Sequence, residues 1–291
     1  MKNNLIRSIQ SVYSDLPIED YYVNEIGQNN DVLIVNNSLV FRFPKYKNGI
    51  IQLKRETEIL NYIKDTVSTP VPIPLYHSIV DLEPGKVFTG YNLIDGVPLW
   101  KESLDSVKSG ELVTVLAAQL VSFLKELHSI TGDQASKDLH LKTRNPREEM
   151  YNLHKKIKGE LFSYIRKNAQ EEISHSFEKI LNGKAFSNLD ITLIHGDFGA
   201  SNILWNPETS RISGIIDFGG SGLGDPAYDF AGILSSYGEE FFDMCINLYP
   251  NGDEISERVK FYKSTFALQE ALHGVENDDK QAFEDGIKDY R

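Results

Sequence analysis

Three polar residues placed at the ends of short apolar runs constrain this chain most. Asp197 and Asn202 stand five apart in His195-Gly196-Asp197-Phe198-Gly199-Ala200-Ser201-Asn202, and Asp217 opens the triplet Asp217-Phe218-Gly219. Leu193-Ile194 precedes the loop, Ile203-Leu204-Trp205 follows it, and Ile212 to Ile216 leads into the second aspartate, so each polar group borders a run that reads as a short buried strand. Asn206-Pro207-Glu208-Thr209-Ser210 is the turn joining the last two runs. Either triplet alone is an ordinary Gly-containing turn; their fixed order around one hairpin is far more restrictive.

Phosphoryl transfer asks a protein for little covalent chemistry. It needs a carboxylate to orient the attacking hydroxyl and oxygen ligands to hold magnesium on a triphosphate. Asp197, Asn202 and Asp217 supply these groups at the spacing of a kinase catalytic loop and its metal-binding turn.

Composition narrows the alternatives. At 291 residues the chain is long enough for two lobes, and 41% apolar with 25% charged residues describes an ordinary globular protein. Its one cysteine, Cys245, lies in an apolar run and reads as a buried thiol, which fits a cytoplasmic setting. Met1 to Arg7 lacks the apolar core of a signal peptide, and no run approaches the length of a membrane span. The balance of 30 basic against 42 acidic residues, a formal charge of −12, excludes nucleic acid as a partner and favours cationic ligands, plain solubility being the simpler account.

The amino-terminal part reads as a small mixed lobe. Leu5, Ile6, Ile9, Val12, Tyr13 and Leu16 form a helical stripe stopped by Pro17. Strands follow at Tyr21-Tyr22-Val23, Val32 to Val35 and Leu39 to Phe43, with Gly27-Gln28-Asn29-Asn30-Asp31 between the first two at the place of a phosphate-covering loop. That loop has one glycine where the Gly-rich pattern has three. Alternation puts Phe41 and Phe43 on one face and Val40 with Arg42 on the other. The phenylalanines belong in the core, so Arg42 faces the cleft as a phosphate ligand with Val40 roofing the base. Lys45 beyond Pro44 is its rival, and an exposed edge-strand arginine is the plain alternative.

The next helix, from about Ile50 to Lys64, sharpens that reading. Leu53, Ile59, Leu60 and Ile63 share a face with Glu56 in its middle, whereas Glu58 points away. A glutamate in an apolar seam needs a cation, and Arg42 on the adjoining strand is the natural partner. Strands from Tyr76 to Val80 and Val87 to Ile94 complete the lobe, and Asp95-Gly96 breaks the pattern. The hinge is expected there, the nucleotide base bonding main-chain groups of Asn92 and Ile94. Helices are expected over 111–128, 146–182, 226–248 and 254–274, the first carrying a strong stripe of Leu112, Leu116, Leu120, Phe123, Leu124 and Leu127.

With these residues in place the chain resembles, nearly end to end, the antibiotic kinases of the aminoglycoside phosphotransferase family, and most of all its 2''-phosphotransferase group. Val40-Phe41-Arg42-Phe43-Pro44-Lys45, Phe123 to Ser129, the His195 loop, Gly214 to Gly219 and Asp225-Pro226-Ala227-Tyr228-Asp229-Phe230 carry the resemblance. It implies an α+β, bilobal, protein-kinase-like fold: a nucleotide-binding lobe over 1–94 with an antiparallel sheet plus a helix, and a larger, mostly helical catalytic and acceptor-binding lobe over 95–291. It implies Asp197 as the catalytic carboxylate, Asn202 and Asp217 as Mg2+ ligands, and Arg42 with Glu56 as the phosphate-binding pair. His195 braces the loop, and Asp225 and Asp229 hold the loop and the next helix, a helix cap at Asp225 serving equally well.

Tyr91 matches a position that gates the nucleotide pocket and resembles members preferring GTP over ATP; a core tyrosine is the alternative. Glu239, Glu240, Asp243 and Glu270 match acids that meet an aminoglycoside, each also readable as part of a solvated helix face. The resemblance implies a magnesium-dependent kinase of a small cationic antibiotic, using GTP or ATP, acting as a monomer and conferring resistance. Kinases of a macrolide or of an amine or sugar metabolite, and a non-catalytic nucleotide-binding protein, stay open.

Overall fold

The alternation in Leu39 to Phe43 has the consequence expected of it. In this computed structural model, which describes residues 2–24, 30–79, 82–143, 145–187 and 189–291, Phe41 and Phe43 are fully buried with Leu5, Ile9, Leu33, Val35 and Phe88 in one apolar cluster. The rings interlock, Phe41 and Phe43 lying 5.8 Å and 5.3 Å from Phe88. Removing a phenylalanine from such a cluster costs about 3 to 5 kcal/mol.

In chain order the elements are α1 (Lys2–Val12), β1 (Tyr21–Asn24), β2 (Asn30–Val35), β3 (Leu39–Pro44), α2 (Lys47–Ile63), β4 (Tyr76–Ser78), β5 (Phe88–Asn92), β6 (Val97–Pro98), α3 (Lys101–Asp105) and α4 (Gly110–His128). Then come α5 (Gly132–Leu139), α6 (Pro146–Glu160), α7 (Lys167–Asn182), β7 (Thr192–Ile194), β8 (Ile203–Asn206), β9 (Arg211–Ile215), β10 (Gly222–Gly224), α8 (Ala227–Tyr237), α9 (Glu239–Leu248), α10 (Gly252–Glu276) and α11 (Lys280–Ile287). Gly27 with its loop, and Val80 at the end of the expected fourth strand, lie outside the described residues.

Two compact units divide the chain: Met1–Gln119 with Ser201–Ser221, and Leu120–Ala200 with Gly222–Arg291. The first contains an antiparallel five-stranded sheet in the order β1-β2-β3-β5-β4 and a three-stranded sheet in the order β6-β8-β9. The break at Asp95-Gly96 therefore falls inside this unit, because β6 immediately after it pairs with β8, Val97 opposite Trp205. Gly96 is required there. Its φ is +129°, and a Cβ would stand 2.9 Å from the Trp205 carbonyl oxygen.

The second unit is mostly helical. α10 packs against α8 and α11, and α6 against α7, with Phe177 and Phe261 edge-to-face at 5.1 Å in its interior. Its strands β7 and β10 pair antiparallel, Leu193 opposite Leu223. Asn145 caps α6 by accepting from the amides of Arg147 and Glu148 ahead of Pro146.

Candidate active site

In the first unit the site grows from the side of β3 opposite the phenylalanines. Arg42 is 8% exposed, and its guanidinium donates through Nη1 to Glu56 Oε1 and through Nη2 to Asp217 Oδ1, the latter at 2.9 Å. The hydroxyl of Tyr91, on the neighbouring strand β5, accepts a further bond from it. Burial alone would lower the Arg42 pKa, but the charges of Glu56, Tyr91 and Asp217 outweigh it and hold the guanidinium above its ordinary value. Arg42 is therefore permanently charged. Lys45 instead reaches Asp31, 3.9 Å away.

Glu56 is 4% exposed in the apolar face of α2. Its carboxylate also accepts from the backbone N–H of Phe218, so α2 is tied to the turn that follows Asp217. Asp217 itself has φ 63° and ψ 69°, a left-handed conformation that aspartate tolerates better than most residues. Its side chain is 47% exposed, which leaves it open to a ligand. Asn202 is buried just before β8, at the same open end of the β8–β9 hairpin as Asp217. Ile203 pairs with Ile215, and the Ile216 amide donates to the Asn202 carbonyl at 2.9 Å, so the hairpin brings Asn202 and Asp217 side by side. An amide oxygen and a carboxylate are hard ligands of the kind magnesium takes when phosphates and water complete its shell. Among the described residues no cluster of three His, Cys, Asp or Glu side chains forms a self-sufficient metal cage. Val40, paired with Tyr91, is buried, Asn92 ends β5 exposed, and Ile94 is half-buried beyond it.

In the second unit Asp229 organises the loop that carries Asp197. Its carboxylate accepts from the backbone amides of His195 and Gly196, each at 2.8 Å, and from His128 Nε2 at 3.1 Å. Burial opposes its charge, but the His128 hydrogen bond and the charges and amide around it prevail, and the carboxyl is held below its usual range. His195 is fully buried, and its Nδ1 accepts from the Asp197 amide at 3.3 Å. It braces the loop, as the sequence implies. Asp225 accepts from the Ala227 amide at the start of α8, the cap reading, and also holds Arg258 at 2.6 Å and Tyr262 at 3.1 Å on α10.

Asp197 opens onto a pocket of about 340 Å³ whose wall includes Tyr228, Ser235, Ser236, Phe266 and Gln269. Ser236 Oγ accepts from the Ala200 amide at 3.0 Å, and the Tyr228 hydroxyl donates to Gln269 Oε1 at 3.4 Å. Burial, reinforced by Asp197 and Asp229, raises the Tyr228 pKa, so that hydroxyl keeps its proton. Glu239, Glu240 and Asp243 lie exposed on α9, Glu239 facing Lys260 at 3.7 Å, and Glu270 lies exposed on α10. None of the four is in the pocket wall. Gln269 and Phe266 are three apart on one face of α10, and Glu270 stands one residue, or about 100°, further round. The sequence signal for Gln269 was thus present one position from the acid it offered, while Tyr228 sits inside the Asp225 motif.

Comparison with known proteins places this geometry. The model of the phosphotransferase enzyme family matches residues 23–262. A viomycin phosphotransferase of Streptomyces vinaceus is 31% identical over 201 residues, covering 68% of this chain and 67% of its own. Among solved structures, the GDP and kanamycin complex of APH(2")-IIIa superposes with a TM-score of 0.88 at 24% identity, covering 97% of this chain and 95% of the other. A macrolide 2'-phosphotransferase type I gives 0.76 at 18% identity, covering 99% and 96%. The fold is thus the α+β kinase-like fold of these structures, and the chain belongs to the phosphotransferase enzyme family.

Proposed function

We propose that this chain is a magnesium-dependent kinase that moves the γ-phosphoryl group of GTP or ATP onto a hydroxyl of an aminoglycoside, of the 2'' type, and so confers resistance. The observation that carries the reading is Arg42, a buried cation gripped by Glu56, Asp217 and Tyr91 on the strand face that a phosphate ligand occupies. Asp197 orients the acceptor hydroxyl and takes its proton as the oxygen attacks the γ-phosphorus. The bond from that phosphorus to the β–γ bridging oxygen breaks, and the nucleoside diphosphate leaves. Arg42 neutralises charge on the phosphates, and Asn202 and Asp217 hold Mg2+, which when bound supplies further neutralisation and orientation. Tyr91 sets a preference for GTP by occupying the back of the base pocket, Val40 roofs the base, and Asn92 and Ile94 meet it through their main chain, with Gly27 in the loop over the phosphates. Glu239, Glu240, Asp243 and Glu270 meet ammonium groups of the acceptor.

A second reading has a specific observation behind it. The wall beside Asp197 offers hydroxyls, an amide and three aromatic rings, with Asp197 as its carboxylate. That lining favours an acceptor with few amines, such as a macrolide, and the likeness to a viomycin phosphotransferase is a likeness to an enzyme named for an acceptor other than an aminoglycoside such as kanamycin or gentamicin.

The test is transfer from each nucleotide to kanamycin, gentamicin, viomycin and a macrolide, followed by phosphorus NMR of the product. Modification of the aminoglycosides at 2'' is expected, and Asp197→Asn should abolish it while nucleotide binding persists. Transfer only to viomycin or the macrolide would establish the second reading, and nucleotide binding with no transfer at all would overturn both.

A further inference from the structure

Tyr249, just past α9, has no part in the reaction outlined above, yet it begins a row of hydrogen bonds that ends on the catalytic loop. Its hydroxyl lies 3.0 Å from His128 Nδ1, and the other ring nitrogen of His128, Nε2, lies 3.1 Å from Asp229 Oδ2. Asp229 in turn accepts from the amides of His195 and Gly196, the two residues before Asp197, at 2.8 Å each. The two partners of the histidine are 121 and 101 residues away from it in sequence.

The chemistry of the two ends fixes the direction of each bond. A carboxylate has no proton to give, so His128 Nε2 carries the proton that it shares with Asp229. In the neutral ring the remaining nitrogen, Nδ1, is an acceptor, and a phenol is the right donor for it. Burial, with the charges of Asp229, Asp225 and Asp190, pushes the Tyr249 hydroxyl up to about 12, which keeps the phenol protonated at neutral pH. The phenol is held in place from two sides: its ring packs edge-on against Phe230 at 4.7 Å and against the His128 ring at 5.8 Å. Tyr249 and His128 both face a groove of about 860 Å³, so this end of the row meets solvent.

We propose that Tyr249 is a positioning residue: by holding His128 in its Nε2–H tautomer it fixes Asp229 against the two amides that set the position of Asp197. The inference rests on Asp197 being the carboxylate that orients the acceptor, but the link from Tyr249 to the loop is measurable without any acceptor. Tyr249→Phe in the full chain retains the ring and both aromatic contacts and deletes the donor. Native-state exchange of the loop amides is expected to quicken about tenfold, and the nitrogen-15 shifts of His128 to move from a single Nε2–H tautomer toward a mixture. With kanamycin and GTP, kcat should fall roughly five- to tenfold at unchanged KM. In a His128→Gln background Tyr249→Phe should add nothing, because its effect passes through that ring. Unchanged loop exchange together with unchanged His128 shifts would overturn the proposal, as would additive losses in the double variant. If no acceptor is phosphorylated, the assigned reaction fails, and the exchange and nitrogen shifts still decide the role of Tyr249.

Discussion

Arg42 concentrates more partners than any simple phosphate ligand requires, and a lysine could not reproduce them. Its planar fork serves Glu56 and Asp217 at once and donates to Tyr91 as well, whereas an ammonium is a single point charge on a flexible stem. Arg42→Lys is expected to raise the nucleotide KM about tenfold, one lost charge-assisted bond, with a smaller effect on acceptor KM; steady-state kinetics with each substrate varied would measure it. Glu56→Gln removes one of the two carboxylates that hold a buried cation and should lower stability by about 3 kcal/mol in urea unfolding. Asp229 makes a prediction about pH. Its folded carboxyl lies below the usual carboxylate range, so its stabilisation is complete above its unfolded value of about 4 and disappears as pH falls through the folded value. Asp229→Asn should therefore unfold at lower urea than the parent at pH 7 and approach it as the pH falls below the folded carboxyl's range. A gap that stays constant over that fall would mean that the carboxylate charge contributes nothing.

At the scale of elements, the loop that carries Asp197 is held by how closely α8 approaches it. A Cβ on Gly232 would lie 2.4 Å from the Phe198 carbonyl oxygen, so Gly232→Ala must push helix and loop apart. We expect a loss of about 2 kcal/mol in thermal unfolding and a fall in kcat larger than the stability change alone explains. Much of this architecture was legible in residue order. Alternation at Val40 to Phe43 separated core from site, and the helical repeat singled out Glu56 and not Glu58, because burial on those periods leaves a chemical trace in the sequence. β10 was not legible: Gly222-Leu223-Gly224 has no strand propensity, and its pairing with β7 makes it a strand. α5 and α11 are short, and each is marked chiefly by its cap, Thr131 or Asp279. The link from His128 to Tyr249 was hidden for another reason: nothing local in either segment announces a partner more than a hundred residues away. The pocket wall was half legible, Tyr228 through its motif and Gln269 only as the neighbour of an acid.

For the whole molecule, the formal charge of −12 becomes a statement about encounter. A cationic acceptor is drawn in by such a field, and salt screens the attraction within about 10 Å at 0.1 M. Raising ionic strength tenfold should therefore raise KM for kanamycin several-fold while leaving kcat nearly constant; a macrolide with one amine should show a much weaker dependence. Because the first unit takes in Ser201–Ser221 as well as the amino-terminal segment, its completion on the ribosome is delayed. When residue 119 emerges, β6 still lacks the strand it pairs with, and that partner is synthesised only after the whole of the second unit's first stretch. The chain therefore emerges with the segments of its two units interleaved, and a cut of the gene at any single point divides at least one of them.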